Sequence, residues 1–170
     1  MLEGWFFMIS ALLVLSGGIK LRDPEPTRGA LRAVGLPSTG GAVAALAVAE
    51  ITAGAGSVVL VSPIAPAAVA ILYLGFSAFV AAALRLDLPI QSCGCFGRSD
   101  TPPGWGHVVV NLAAAGAAIA VASNGGTDIL QILDSQPAGG IPYVGFVVLG
   151  AFLVGAILTD LPAASGRRVR

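Results

Sequence analysis

Two cysteines separated by one glycine, Cys93-Gly94-Cys95 in the stretch IQSCGCFGRSD, are the only thiols in this 170-residue chain. A disulfide across a single intervening residue closes a very small ring. Its geometry is tight, so the bond is easily reduced. It closes almost no loop and is a weak staple, so electron exchange explains the pair where stability does not. The thiolate is the reactive form, and Arg98, three residues further on, favours it electrostatically. Two thiolates also suit a soft ion such as Cu(I); zinc wants four ligands, and His107 is the one histidine that could add a nitrogen donor. The bland alternative is two small apolar fillers at a helix end.

Glu50 is the second anchor. It stands in the middle of an apolar run, ALAVAEITAGAG. A carboxylate inside a membrane span is costly, so it is expected to face the bundle interior and find a partner there. Lys20, Tyr73, Ser77 and Asn111 are the candidates. At 1.5 Å per residue Glu50 lies roughly 15 Å, and Asn111 roughly 10 Å, from the nearer ends of their segments, close enough in depth for one polar cluster. Such a cluster acts either as a hydrogen-bonding clamp between helices or as a proton relay and polar contact for a bound quinone or thiol substrate. His107 follows Trp105 by two residues, a pairing that fits a membrane-surface anchor. Its rival role is proton donor to a neighbouring thiolate. Lys20, at the end of the first apolar run, reads as a snorkelling anchor. The chain has no Ser-His-Asp set, P-loop or dinucleotide fingerprint.

The elements that hold these residues must be helices in lipid. The chain is 56% hydrophobic and 11% charged, with mean hydropathy +0.89. A soluble domain carries about 25% charged residues, so there is too little polar surface here to cover a water-exposed globule. Zero net charge and few aromatics give no platform for nucleic acid. Abundant Gly and Ala suit closely packed membrane helices and leave room for a homo-oligomer or a larger membrane complex.

Five apolar segments reach the roughly 20 residues that a bilayer requires. They cover about residues 2–21, 39–61, 65–86, 105–123 and 141–161, in one polytopic membrane domain over 1–170, with the CGCFG loop at 93–97. The expected fold is therefore an all-α integral membrane bundle of four core helices plus a fifth C-terminal span. The first segment resembles a signal peptide but lacks a basic start, and is read as retained. Pro24 and Pro26 stop it. The piece after it, TRGALRAVGL, reads either as an amphipathic segment with Ala30, Leu31, Val34 and Leu36 on the membrane surface and Arg28 and Arg32 in water, or as a solvated loop with one helical turn. The short SPIAP link makes the second and third spans an antiparallel hairpin, and DILQILD, after the fourth, reads as a surface turn.

With five spans, all nine basic residues fall on one face: Lys20, Arg22, Arg28, Arg32, Arg85, Arg98, Arg167, Arg168 and Arg170. The positive-inside rule then places the protein in the inner membrane with its N-terminus outside and its C-terminus and cysteine loop toward the cytoplasm.

An apolar helix ending GGIKL, a glutamate within the second span, CGCFG after the third and a helix entry containing HVVVNL together resemble the MauE/DoxX group of redox-associated membrane proteins, closest to its methylamine-utilisation MauE branch. The resemblance covers about residues 5–123. It implies a helical bundle with a role beside thioredoxin-like partners, in forming or maintaining disulfides of exported proteins. It makes Cys93 and Cys95 the redox pair and Lys20, Glu50 and Asn111 the polar set. Where that group often has Arg-Asn, this chain has Val110-Asn111, which argues against anion binding there. The leading expectation is a membrane thiol-disulfide redox protein, open to a quinone as electron partner. The alternatives are a binding or transport protein for a soft metal or a small sulfur compound such as thiosulfate, and a non-catalytic assembly subunit.

Overall fold

The computed structural model describes residues 2–88, 104–126 and 128–165, with side chains described as far as residue 155. Every regular element among them is helical: α1 (Leu2–Arg22), α2 (Glu25–Ala33), α3 (Gly40–Val59), α4 (Ile64–Arg85), α5 (Trp105–Ser123), α6 (Ile129–Ser135), a single 3-10 turn (Pro137–Gly140) and α7 (Ile141–Ser165). Five of them, α1, α3, α4, α5 and α7, are long and apolar enough to cross a membrane. The chain is an all-α, multi-pass membrane protein. Its lipid-facing surface carries side chains such as Ile71, Val109, Val148 and Phe152, each more than 60% exposed.

Local chemistry sets the helix ends. Asp23 and Pro24 follow α1, and Pro24 and Pro26 open α2 at positions where a missing N–H costs nothing. Thr39 caps α3, its Oγ1 accepting from the Ala42 N–H at 3.2 Å. Asp128 caps α6 by accepting from the Leu130 and Gln131 N–H groups.

The bundle is built around α1, which packs against α3, α5 and α7 and receives the Tyr73 hydroxyl of α4 at its Ile9 carbonyl, 2.7 Å away. SPIAP does join α3 and α4, but each has its most extensive packing elsewhere, α3 on α1 and α4 on α5. The reason for the first pairing is visible in the glycines. A Cβ at Gly54 would sit 2.5 Å from the Ser10 carbonyl oxygen, and one at Gly17 would sit 2.6 Å from that of Ala47. Only glycine lets these backbones come so close, and the approach brings the Ser57 hydroxyl to within 2.9 Å of Ser10 Oγ. Backbone atoms cannot rotate aside, so Gly54→Ala and Gly17→Ala are each expected to destabilise the bundle by about 1–3 kcal/mol. The check is the unfolding midpoint of detergent-purified protein. Gly75→Ala, where a Cβ meets nothing within 4 Å, should show no such loss.

α7 runs parallel to α1, with Met8 seated on Gly150 and Leu12 beside Gly155. Among the described residues it is the most peripheral span: 11% of the apolar window in Pro137–Gly155 is buried, against 56% for α1. α2 departs from the surface-helix expectation. Thr27 and Ala30 are buried, and Ala30 packs with Ala83 at the end of α4. Arg28 pairs with Glu25 and donates from Nε to the Ser38 carbonyl at 2.9 Å, tying α2 to the entry of α3. α2 thus bridges the ends of α4 and α3.

Candidate functional site

The end of the bundle where α1 finishes holds a buried charge pair. Lys20 lies in the last turn of α1 and Glu50 midway along α3; they are 2% and 0% exposed. Lys20 Nζ stands 2.9 Å from each Glu50 carboxylate oxygen. Only the contact with Oε2 has hydrogen-bond geometry, and among the described residues Oε1 has no hydrogen bond of its own. A second proton of the ammonium goes to Ser16 Oγ at 2.5 Å. The ring of Phe76 on α4 lies below the ammonium, 5.6 Å to its centroid, a distance that adds cation–π attraction. Lys20 therefore does not snorkel to the surface. Gly17, one turn before it, admits α3 closely enough for an inward-turned ammonium to meet a carboxylate. Each charge makes burial of the other tolerable in a medium where an isolated ion is very costly.

Two other candidate partners of Glu50, Tyr73 and Ser77, bond elsewhere. Tyr73 donates to Ile9 as described and meets Phe76 edge-on, ring centroids 6.1 Å apart. Ser77 donates to the Val108 carbonyl at 3.4 Å. Both are interhelical fasteners, holding α4 to α1 and to α5. Asn111, 8% exposed, lies one turn into α5 from His107.

His107 is 4% exposed, whereas Trp105 is 56% exposed. Of the pair read as interfacial, Trp105 has the exposure of an anchor and His107 is turned inward. Its Nδ1 accepts from the Gly104 N–H at 3.3 Å, so in the neutral ring Nε2 carries the proton. Cys93, Cys95 and Arg98, with the whole CGCFG loop, lie outside the described residues. The helices flanking them are described: α4 finishes at Arg85 and α5 starts at Trp105. Both ends lie at the same end of the bundle as Lys20, because Ser77 of α4 meets Val108 of α5 and α2 packs on Ala83.

A cavity of about 350 Å³ opens beneath α2, between α3 and α4. Lys20 and Thr27 are its polar lining; the remaining walls are aliphatic or aromatic, from α2, Leu36, Leu46 and one face of α4. Sequence reasoning missed Ser16 and Thr27. Ser16 had a usable signal, since it lies four residues before Lys20 on one helix face. Thr27 had none, because its burial depends on how α2 is docked.

A family model described as methylamine utilisation protein MauE matches residues 3–124. That range takes in α1 to α5 and stops before α6 and α7. Among curated proteins and among solved structures, none matches the chain.

Proposed function

The chain belongs to the MauE family of membrane proteins, and on that premise we propose that Cys93 and Cys95 cycle between dithiol and disulfide in exchange with a thioredoxin-like partner. One observation carries this reading. The segment holding both thiols leaves α4 and enters α5 at the bundle end that contains the Lys20–Glu50 pair and a buried His107.

In the oxidising direction, a partner thiolate attacks one sulfur of the Cys93–Cys95 disulfide. That S–S bond breaks as the mixed S–S bond forms, and the released thiolate takes up a proton, for which His107 is the nearest imidazole in sequence. The partner's second thiolate then attacks the mixed disulfide. The partner leaves oxidised by two electrons, and the pair remains as a dithiol. The reverse sequence reduces the partner. The one-sided distribution of basic residues favours a cytoplasmic position for this end.

Labelling with a membrane-impermeant maleimide tests the redox state and the sidedness together. We expect Cys93 and Cys95 to react in inside-out vesicles and not in intact cells, and to gain reactivity after dithiothreitol. A pair that labels fully without reductant, and that diamide never protects, would remove the redox assignment.

A further inference from the structure

A second cavity, of about 500 Å³, lies at the end of the bundle opposite Lys20. Its walls come from the first turns of α1 and α7, and from α6 with Gln136 just after it. The volume falls within the range of small-molecule pockets, roughly 300–1,000 Å³. Aromatic residues make up 6% of the chain, yet Trp5, Tyr143 and Phe146 are three of the eight residues that line this cavity. The faces of such rings attract cations. Phe7 meets the Tyr143 ring edge-to-face, centroids 6.4 Å apart, and holds it in place.

Three polar groups share the cavity with the rings: the Glu3 carboxylate, the Gln136 amide and the Tyr143 hydroxyl. Tyr143 Oη is buried and, among the described residues, has no hydrogen-bond partner. A buried hydroxyl left unpaired is costly, so this one calls for an explanation. It stands 3.7 Å from where a Cβ would sit on Gly4, itself a lining residue. The bare glycine therefore keeps the space beside the hydroxyl open.

Charge narrows the class of ligand. Glu3 is the one charged residue among the described lining residues. The chain has no Lys or Arg before Lys20 and none between Arg98 and Arg167, the two stretches that build the cavity. An anionic ligand would meet a carboxylate and no cation. A neutral one would leave that carboxylate and the ring faces unused. A protonated amine uses all of them: its N–H groups donate to the Glu3 carboxylate, Tyr143 Oη and the Gln136 carbonyl, and its charge faces the rings. Its carbon body is left to Met8 and Ile132. We propose that this cavity binds a primary ammonium group carried on a small apolar body. Two sources share that chemistry, a soluble amine and the head of an aminophospholipid. Binding here is separate from the thiol reading and involves no electron step.

The test uses the full chain in phosphatidylcholine nanodiscs, with empty discs as the blank. Phenethylammonium binding is measured by isothermal titration calorimetry beside two molecules of similar shape, neutral 2-phenylethanol and anionic phenylacetate. Phenethylammonium is expected to bind at least about tenfold more tightly than either. Glu3→Gln and Tyr143→Phe should each weaken it by about fivefold, the equivalent of one hydrogen bond. Neither should lower the unfolding midpoint, because Glu3 is exposed and the Tyr143 hydroxyl has no bond to lose among the described residues. Weaker binding at an unchanged midpoint is what a purely structural role would not produce. Replacing half of the lipid with phosphatidylethanolamine separates the two sources. An unchanged affinity assigns the site to a soluble amine. A severalfold loss that Glu3→Gln abolishes assigns it to the aminophospholipid head. Equal binding of phenethylammonium and 2-phenylethanol, or parental affinity in both variants, overturns the proposal.

Discussion

Lys20→Met is expected to cost the folded bundle about 3–5 kcal/mol, the penalty for leaving a buried carboxylate without its counter-charge. Glu50 is fully buried, and Lys20 Nζ is the cation 2.9 Å from both of its oxygens. Glu50→Leu should be comparably harmful, because it strands the ammonium. The double variant Lys20→Met/Glu50→Leu is expected to recover to within about 2 kcal/mol of the parent, since a buried ion pair and an apolar pair of similar volume differ little in stability. Unfolding in mixed micelles, followed by circular dichroism across the four proteins, gives the coupling energy directly. A double variant as unstable as the sum of its singles would mean that the two groups do not act as a pair. The recovered double variant also separates a clamp from a working polar group. Lys20 borders the cavity under α2, so we expect stability to return while thiol exchange stays impaired. Full exchange in that variant would assign the pair to structure alone.

The second large effect is at the thiols. Cys93→Ser and Cys95→Ser are each expected to reduce disulfide exchange with the partner to background, because either change leaves one sulfur and no internal disulfide can form. They should differ in what they trap. The variant that retains the attacking cysteine accumulates a mixed disulfide with the partner, stable on non-reducing gels and cleaved by dithiothreitol; the other does not. Mass spectrometry of the trapped species identifies both the partner and the attacking residue. Unimpaired exchange by either variant would end the thiol reading.

The five spans were legible because lipid imposes a blunt rule: about 20 apolar residues in a row, helical because no water satisfies the backbone. α3, α4 and α5 fall within two residues of the expected segments, and α7 runs four residues further. Glu50 was legible for the same reason, as an ionisable group where ions are costly, and Lys20 was among its candidate partners. Its inward turn was harder to foresee. A lysine near a helix end ordinarily reaches the surface; here the outcome depends on Gly17 admitting α3, a close approach set by two helices together. Ser10 and Ser57 were invisible as a pair, because single serines in apolar helices carry no periodic signal and theirs is a contact across 47 positions. From sequence alone α2 is open between a surface amphipathic piece and a solvated loop; it is a helix, and its buried positions are Thr27 and Ala30. Small residues mark a helix pressed onto other helices, whereas the leucines nearby drew attention to the bilayer surface.

The central place of α1 also sets an order of events during biosynthesis. It leaves the ribosome well before α7, yet Met8 and Leu12 on its outer flank are covered by Ala151 and its neighbours in α7. That flank therefore faces lipid while α3 and then the α4–α5 pair assemble on the other sides. Chains truncated before α7 should therefore keep Met8 and Leu12 of α1 uncovered, which site-specific crosslinking from those two positions to lipid would read out.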